Sequence, residues 1–552
     1  MNISCRRPLP LLVGEPGRRA HIPGRDWDPE MSVSCVVASG SSSTRRWLLS
    51  PLPPLVLGAI LRFVGLGAQC LWYDEAFTAW MVSLSWRDML TATAGDVHPP
   101  LWYALTKLMI TDLLGTSEWV LRLPAALLSV LALWLVWRLA VELGLGRRVV
   151  VATLWILAVS PFQIAYAQEA RMYALLLVGV LVAALGLVEG WWPIYALGVT
   201  LVMYSHNLGA IYWIVLVVLS IGWFLIKVRK KSASVLSFPG FFFLSNATAA
   251  AFYLPWSFVA LDQVGAVGSA FWVQKPSLGG LALILHKLYW HTTPPVWAGV
   301  PTAFLSGLAV VAIAVTTVKA LLCGKRAAGA HKIIMLTTLT TLGFGPLLVA
   351  FVASLVWRPV LIHRTMIGCT PFLAMLLAYA LVHHRRARWL ALAAAPLVAF
   401  VVVGGVIQPF VSQEIVTQKG DVGRFVLPVR ERLESGDAVL HTSIASYVLL
   451  SYYAPDFDHY LWSQANDLSQ SLTDQTKDAM GMRQTSIEEL LDDYTRVFVY
   501  YSDTPVTSAA EVAETERIRA TYPVAWAMSF LDDSGGLVES GVYLVEREQG
   551  GH

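Results

Sequence analysis

The chain has 552 residues, of which 56% are hydrophobic and only 14% charged. A soluble domain carries about 25% charged residues, so the composition excludes an ordinary soluble enzyme. Many apolar runs reach the roughly 20 residues that cross a bilayer, which excludes a single-anchor protein as well. The net charge of +3 conceals an asymmetry: residues 411–552 hold 10 Lys+Arg against 23 Asp+Glu, whereas 1–410 hold 30 against 14. The first stretch reads as membrane with basic cytoplasmic loops, the last as a soluble acidic domain.

Residues 1–46 are rich in Arg, Pro, Gly and Ser without helical period and read as a disordered cytoplasmic tail. No signal-peptide cleavage site follows, so the first span is expected to stay in place. Apolar periodicity places eleven spans near 47–68, 118–142, 149–166, 170–188, 193–205, 207–226, 236–256, 301–322, 333–356, 366–382 and 389–409. Basic clusters at Arg45-Arg46, Arg147-Arg148, Lys227 to Lys231, Lys325-Arg326 with Lys332, and Arg385-Arg386 with Arg388 then all fall on one side. The positive-inside rule makes that side cytoplasmic. The outer side of the plasma membrane receives the first loop 69–117, the turn at 167–169, Ser205-His206, the long loop 257–300, Arg358 to Arg364 and everything after 410.

The segment 411–552 changes texture. Helical stretches at Asp421 to Glu434, Glu488 to Asp493 and Ala509 to Ala520 alternate with strands at Ala438 to His441, Arg496 to Tyr500 and Val542 to Val545. Such alternation predicts a small α/β domain outside the membrane. It carries no Gly-rich phosphate loop after a strand and no metal-spaced cluster. The cysteines Cys5, Cys35, Cys70, Cys323 and Cys369 all lie before it, with no zinc spacing.

The chemistry is expected in the first loop. Residues 47–410 contain ten acids, and six lie between 74 and 118. Acids at a membrane are costly to keep there. Asp88, Asp112, Glu118, Glu142 and Glu189 read as solvated charges or caps. Asp74-Glu75 differ: they follow Leu71-Trp72-Tyr73, whose aromatics favour the lipid–water boundary. One carboxylate there can accept a proton from a hydroxyl while the other positions that hydroxyl or holds a divalent ion. The alternative is a helix cap with a first-turn acid.

Asp96-Val97-His98-Pro99-Pro100 comes next. Its prolines fix the turn and can hold Asp96 and His98 at the top of a helix from Leu101 onward. A histidine there can pair with a phosphate or take a proton. Ser160-Pro161-Phe162-Gln163 and Gln168-Glu169-Ala170-Arg171-Met172-Tyr173 form the third piece. Glu169 and Arg171, two apart, would serve different partners: a metal or hydroxyl for Glu169, a phosphate for Arg171. His206, Lys275, Lys287, His291, Arg358, His363 and Arg364 complete the outer polar set. Arg364 begins a span, where a guanidinium suits a lipid phosphate.

Taken together, Trp72-Tyr73-Asp74-Glu75-Ala76, His98-Pro99-Pro100-Leu101-Trp102-Tyr103, Arg122-Leu123-Pro124 and Ser160 to Tyr173 resemble the GT-C membrane glycosyltransferases of the protein O-mannosyltransferase type. The likeness is to the bacterial family-39-like branch, which includes the lipid A aminoarabinose transferases. It covers about 47–380 and is strongest over 70–175.

The resemblance implies an inverting transfer of mannose, arabinose or a similar sugar from a polyprenyl-phosphate donor. The acceptor would be a lipid, a polysaccharide or a protein at the outer face. It assigns Asp74 as the catalytic carboxylate, Glu75 to acceptor or ion binding, Glu169 as the second-loop acid, and Arg171 and Arg364 to the donor phosphate. The family's Arg-Tyr at the late span reads Arg364-Thr365 here. Glu75, Asp96 and Glu169 are the candidate ligands for a divalent metal ion; no nucleotide cofactor and no nucleic acid partner are expected. The competing reading is a flippase or transporter of lipid-linked sugars. That would place polar groups at the midplane and show internal repeats, whereas here the polar groups gather at one face and no clear repeat is present.

Overall fold

The computed structural model describes residues 50–111, 114–229, 238–266, 275–290, 303, 306–307, 309–311, 330–383, 422–465, 473–502, 509–531 and 539–547. The expected tail 1–46, the span 389–409, most of the span 301–322 and the domain boundary near 410 lie outside them.

The chain is a polytopic α-helical membrane protein with a small C-terminal α/β domain. The expectation of eleven spans is not met among the described residues. Three helices are long and apolar enough to cross a membrane: Glu118–Glu142, Lys332–Val356 and Arg364–His383. A fourth span arises if Arg147–Ala158 and Pro161–Ala167, bent by 59°, count as one. Leu52–Phe63, Tyr173–Glu189, Trp192–Ser205 and Gly209–Leu225 are apolar but shorter. Two of the expected spans lie wholly or largely outside the described residues, and local breaks shorten others. Ser160-Pro161 breaks one run, Ser160 capping the new helix by accepting the Gln163 N–H. Gly190, at φ +71°, ends another in the left-handed conformation that glycine adopts without strain.

The tight pair Tyr173–Glu189 and Trp192–Ser205 is present, and small residues make it possible. A Cβ on Gly186 would meet the backbone of Ile194 and Tyr195, and one on Gly198 the backbone of Ala183. Membrane helices approach closely where such residues face each other. The expected outer loop 257–300 is helical where it is described: Phe238–Ala266 runs through Pro255 past the expected end of its span, and Leu278–Trp290 follows.

A buried cation sits at the 59° break. Arg62 is fully buried and donates to the carbonyls of Gly58 (2.8 Å), Leu157 (3.3 Å) and Ala158 (3.4 Å) and to Ser129 Oγ (2.8 Å). Leu157 and Ala158 end their helix, where carbonyls lack helical partners and the dipole favours positive charge.

Among the described residues the C-terminal domain holds six strands: β1 Ala438–His441, β2 His459–Trp462, β3 Gln484–Thr485, β4 Arg496–Ser502, β5 Val524–Leu531 and β6 Glu539–Glu546. Their order is β3-β2-β1-β4-β6-β5. The first four run parallel, while β6 pairs antiparallel with both β4 and β5. β1 is buried throughout, as a central parallel strand requires. Helices fall where alternation places them, at Ile487–Asp493 and Ala509–Thr521.

This domain packs on the first loop. Helix Ile444–Tyr453 lies against Tyr73–Ser83, with Tyr447 stacked on Trp80 at 5.4 Å between ring centroids. The Trp80 indole donates to the Met480 carbonyl at 3.1 Å. Thr476 donates to the Ala92 carbonyl at 3.1 Å, beside Gly95, where a Cβ would collide with Thr473 and Thr476.

Candidate active site

The acid pair sits in the first turn of helix Tyr73–Ser83. Carboxylates suit that turn because the helix dipole favours negative charge at its N-terminal end. An α-helix turns about 100° per residue, so adjacent side chains cannot face one target. Asp74 and Glu75 therefore diverge.

Glu75 turns inward and is fully buried. Arg122 grips it bidentately, Nε to Oε1 at 2.8 Å and Nη2 to Oε2 at 2.9 Å. The Ala170 N–H donates to Oε1 at 2.8 Å. Arg122 also donates to the carbonyls of Leu66, Gln69 and Cys70 at 2.9, 2.8 and 2.9 Å. One ion pair thus ties together three segments: the entry to the first loop, the helix Glu118–Glu142 and the turn at 168–172. Arg122 belongs to the Arg-Leu-Pro motif, but its partner was not legible there. The available signal was a cation in the middle of an apolar run, which needs a buried acid.

Asp74 turns toward two other guanidiniums. Arg364 Nη1 lies 3.1 Å and Arg171 Nε 3.7 Å from the same oxygen, Oδ2. Arg171 also donates to the Asp74 carbonyl at 3.3 Å. Arg364 lies against the rings of Trp72 and Tyr173, 5.7 and 5.9 Å from their centroids. Such contacts hold a guanidinium by its flat face and leave its edge for an anion. Arg364 is 18% exposed and Arg171 only 3%.

The His-Pro-Pro turn closes on the same place. Pro100 caps helix Leu101–Thr106, as the prolines predict, and Trp102, fully buried, donates to the Ala170 carbonyl at 3.2 Å. His98 Nε2 lies 3.4 Å from Arg171 Nη2, and its Nδ1 lies 3.4 Å from Asp96 Oδ2. Guanidinium always donates, so Nε2 accepts and Nδ1 carries the proton toward Asp96. The His206 ring meets His98 edge-on at 5.1 Å. Its Nδ1 accepts the Leu208 N–H at 3.1 Å, which places the proton of the neutral ring on Nε2. Burial pushes the pKa of both histidines down; Arg171 lowers each further, and for His98 the nearby Asp96 opposes the shift.

Asn207, next to His206, donates to the Val97 carbonyl and to Gln263 Oε1, each at 2.9 Å. Gln263 in turn donates to the Thr93 carbonyl at 2.9 Å. These two amides carry no motif and were not legible in the sequence. Glu169 is buried in the turn itself, its carbonyl accepting the Arg171 N–H at 2.7 Å.

Asp74, Asp96, His98, Arg171, His206 and Arg364 are thus linked in one cluster of contacts, while Glu75 serves a neighbouring ion pair. Among the described residues no group of three or more His, Cys, Asp or Glu is arranged to hold a metal. Glu75, Asp96 and Glu169, expected as possible ligands, form no such set. Lys275 and Lys287, on or beside helix Leu278–Trp290, make no contact with the cluster among the interactions described above. His291 lies outside the described residues. Of the acids expected to be plain, Asp88 bonds its cap Ser85 at 2.6 Å, and Glu142 and Glu189 both pair with Arg138, at 3.0 and 3.3 Å; Glu118 instead accepts a hydrogen bond from the Tyr453 hydroxyl of the C-terminal domain at 3.1 Å, and Asp112 lies outside the described residues.

Broken apolar helices around a charged cluster, with an α/β domain set on the first loop, are the arrangement that the sequence motifs lead one to expect of the GT-C fold. Comparison with solved structures agrees. The chain superposes on ArnT from Cupriavidus metallidurans bound to undecaprenyl phosphate with a TM-score of 0.53, 12% identity, and coverage of 91% of this chain and 98% of that one. For the apo state of the same protein the TM-score is 0.54 and the identity 13%, with the same coverage. No family model matches the chain, and no curated protein sequence matches it.

Proposed function

We propose that this protein is a membrane glycosyltransferase that moves a sugar from a polyprenyl-phosphate donor to an acceptor at the outer face of the plasma membrane. The observation that carries the reading is Asp74, a carboxylate held beside two guanidiniums in a cluster rimmed by aromatics. Sugar transfer from a lipid phosphate needs a base for the acceptor hydroxyl and cations for the leaving phosphate. The fold shared with ArnT, a protein whose structure was solved with undecaprenyl phosphate bound, supports the donor class.

In this reading Asp74 takes the proton of the acceptor hydroxyl. The acceptor oxygen bonds to the anomeric carbon from the face opposite the phosphate. The bond from that carbon to the phosphate oxygen breaks, its electron pair leaves with polyprenyl phosphate, and the configuration inverts. Arg171 and Arg364 bear the charge that develops on the phosphate. His98 and His206, with Asp96, belong to the cluster and offer hydrogen bonds to sugar or phosphate. Glu75 acts through Arg122 by fixing the turn that carries Glu169 and Arg171. The membrane helices before residue 411 form the catalytic unit, and the α/β domain stands outside the membrane above the first loop.

The test uses purified protein in lipid with radiolabelled polyprenyl-phosphate sugars, wild type beside Asp74→Asn, with and without chelator. Release of polyprenyl phosphate by wild type, and its loss in the variant at equal membrane level, is the expected result. Equal release by both would remove Asp74 from the reaction. Donor binding with movement across the bilayer and no release would favour the flippase.

A further inference from the structure

Asp74 presents a difficulty for any base. Its Oδ2 faces two guanidiniums, Arg364 at 3.1 Å and Arg171 at 3.7 Å. A carboxylate so engaged is a poor proton acceptor, because nearby cations favour its ionised form. The same two cations are the ones a lipid phosphate would require. Arg364, partly exposed and supported on the rings of Trp72 and Tyr173, is placed to turn its edge from one anion to another without leaving its seat.

Resting on the reading above, we propose that the donor phosphate displaces Asp74 from Arg364 and Arg171, so that donor binding itself releases the base. The order of events follows. A phosphodiester entering the cluster competes for the guanidiniums, and phosphate offers more acceptor oxygens than the single Asp74 oxygen it replaces. Once the arginines turn to phosphate, Oδ2 is free to accept the proton of an acceptor hydroxyl. Without donor the carboxylate stays masked, so an acceptor that arrives first finds no base. Donor and Asp74 are therefore linked negatively in binding and positively in catalysis.

The linkage gives a sign that a mere catalytic role does not. Asp74→Asn keeps the shape of the side chain but removes the charge that competes for the arginines. Charges about 4 Å apart near a protein surface interact by several kcal/mol before solvent relaxation. The variant should thus bind polyprenyl phosphate more tightly than wild type, by on the order of tenfold, although it releases no product. Titration of nanodisc-embedded protein with polyprenyl phosphate measures this directly, without turnover.

A companion variant isolates the cation. In Arg364→Gln the phosphate should bind more weakly than in wild type, and adding Asp74→Asn to it should restore only the smaller part owed to Arg171, because the nearer of the two released cations is gone. Equal or weaker binding by Asp74→Asn, with wild type binding normally, would overturn the displacement and leave the glycosyltransferase reading standing. Tightening that persists in full without Arg364 would overturn Arg364's part in it. Failure of wild type to bind polyprenyl phosphate at all would overturn the functional reading and the displacement with it.

Discussion

The hydroxyl of Tyr453, in the C-terminal domain, accepts a hydrogen bond from the backbone N–H of Leu71 at 2.6 Å. Leu71 stands three residues before Asp74. The same hydroxyl donates to Glu118 Oε1 at 3.1 Å, one helical turn before Arg122. Its neighbour Tyr452 donates to the Thr116 carbonyl at 2.6 Å. Two adjacent tyrosines thus staple the two ends of the first loop, and the domain acts on the cluster through the backbone that enters it.

Tyr453→Phe keeps the ring and removes both bonds. The Leu71 N–H is left without its partner, at a cost of about 1–3 kcal/mol. The first turn of helix Tyr73–Ser83 should loosen, so kcat falls while donor binding changes little. Hydrogen exchange over residues 69–83 should rise in parallel. Unchanged exchange with unchanged kcat would show that the staple does not reach Asp74.

The Glu75–Arg122 pair makes a second prediction. Breaking a buried pair from one side leaves a charge without its partner, which costs about 3–5 kcal/mol. Arg122→Met should therefore lower stability sharply in detergent. Adding Glu75→Gln to it should recover much of the loss, since both charges are then gone. Thermal unfolding of the two singles and the double gives the cycle. Strictly additive losses would mean that the two side chains contribute independently.

The divergence of Asp74 and Glu75 also shows how much could be read in advance. The acid pair, the His-Pro-Pro turn and the Gln-Glu-Ala-Arg segment were each legible, because polar residues in an apolar chain need a reason. How they divide the work was not legible, because it depends on where the helix begins. The start at Tyr73 fixes the two acids about 100° apart. One expected span is broken for a related reason. Hydropathy measures how apolar a run is, and the break at Ser160-Pro161 sits inside a run that is apolar on both sides. In the C-terminal domain β1 and β4 were legible as strands between helices, whereas His459–Trp462 and Val524–Leu531 were not, being short or without clear alternation.

Arg62 carries a third prediction. Its guanidinium serves three carbonyls and one hydroxyl at once. A lysine keeps the charge but offers three donors from one point, and cannot span these acceptors. Arg62→Lys should lose about 1–3 kcal/mol of stability and should impair activity by relaxing the bend that leads into Gln168-Glu169. Thermal unfolding and turnover should fall together. If turnover is intact in a destabilised variant, the bend does not govern the site.

Acid sensitivity should arise outside the membrane, at His441 and His459. His441 Nε2 faces His459 Nδ1 at 2.9 Å, His441 Nδ1 faces Ser446 Oγ at 3.1 Å, and His459 Nε2 faces the Ala454 carbonyl at 2.8 Å. Two neutral rings satisfy this run, one nitrogen of the inner pair donating and the other accepting. Burial lowers the pKa of both; His441 is further lowered by His459, and His459 by Arg483 against the opposing Ala454 carbonyl, Asp456 and Asp458. For a group depressed in the folded state, stability is full above the unfolded value of about 6.5 and is lost as pH falls toward the folded value. Tyr447 packs edge-on against His441 at 5.4 Å and also stacks on Trp80, so loosening here is transmitted to the first loop. Unfolding of the domain followed from pH 7.5 to 5 should show stability dropping below about pH 6.5, with a shallower slope in His441→Gln. A slope identical in the variant would assign the acid lability to other groups.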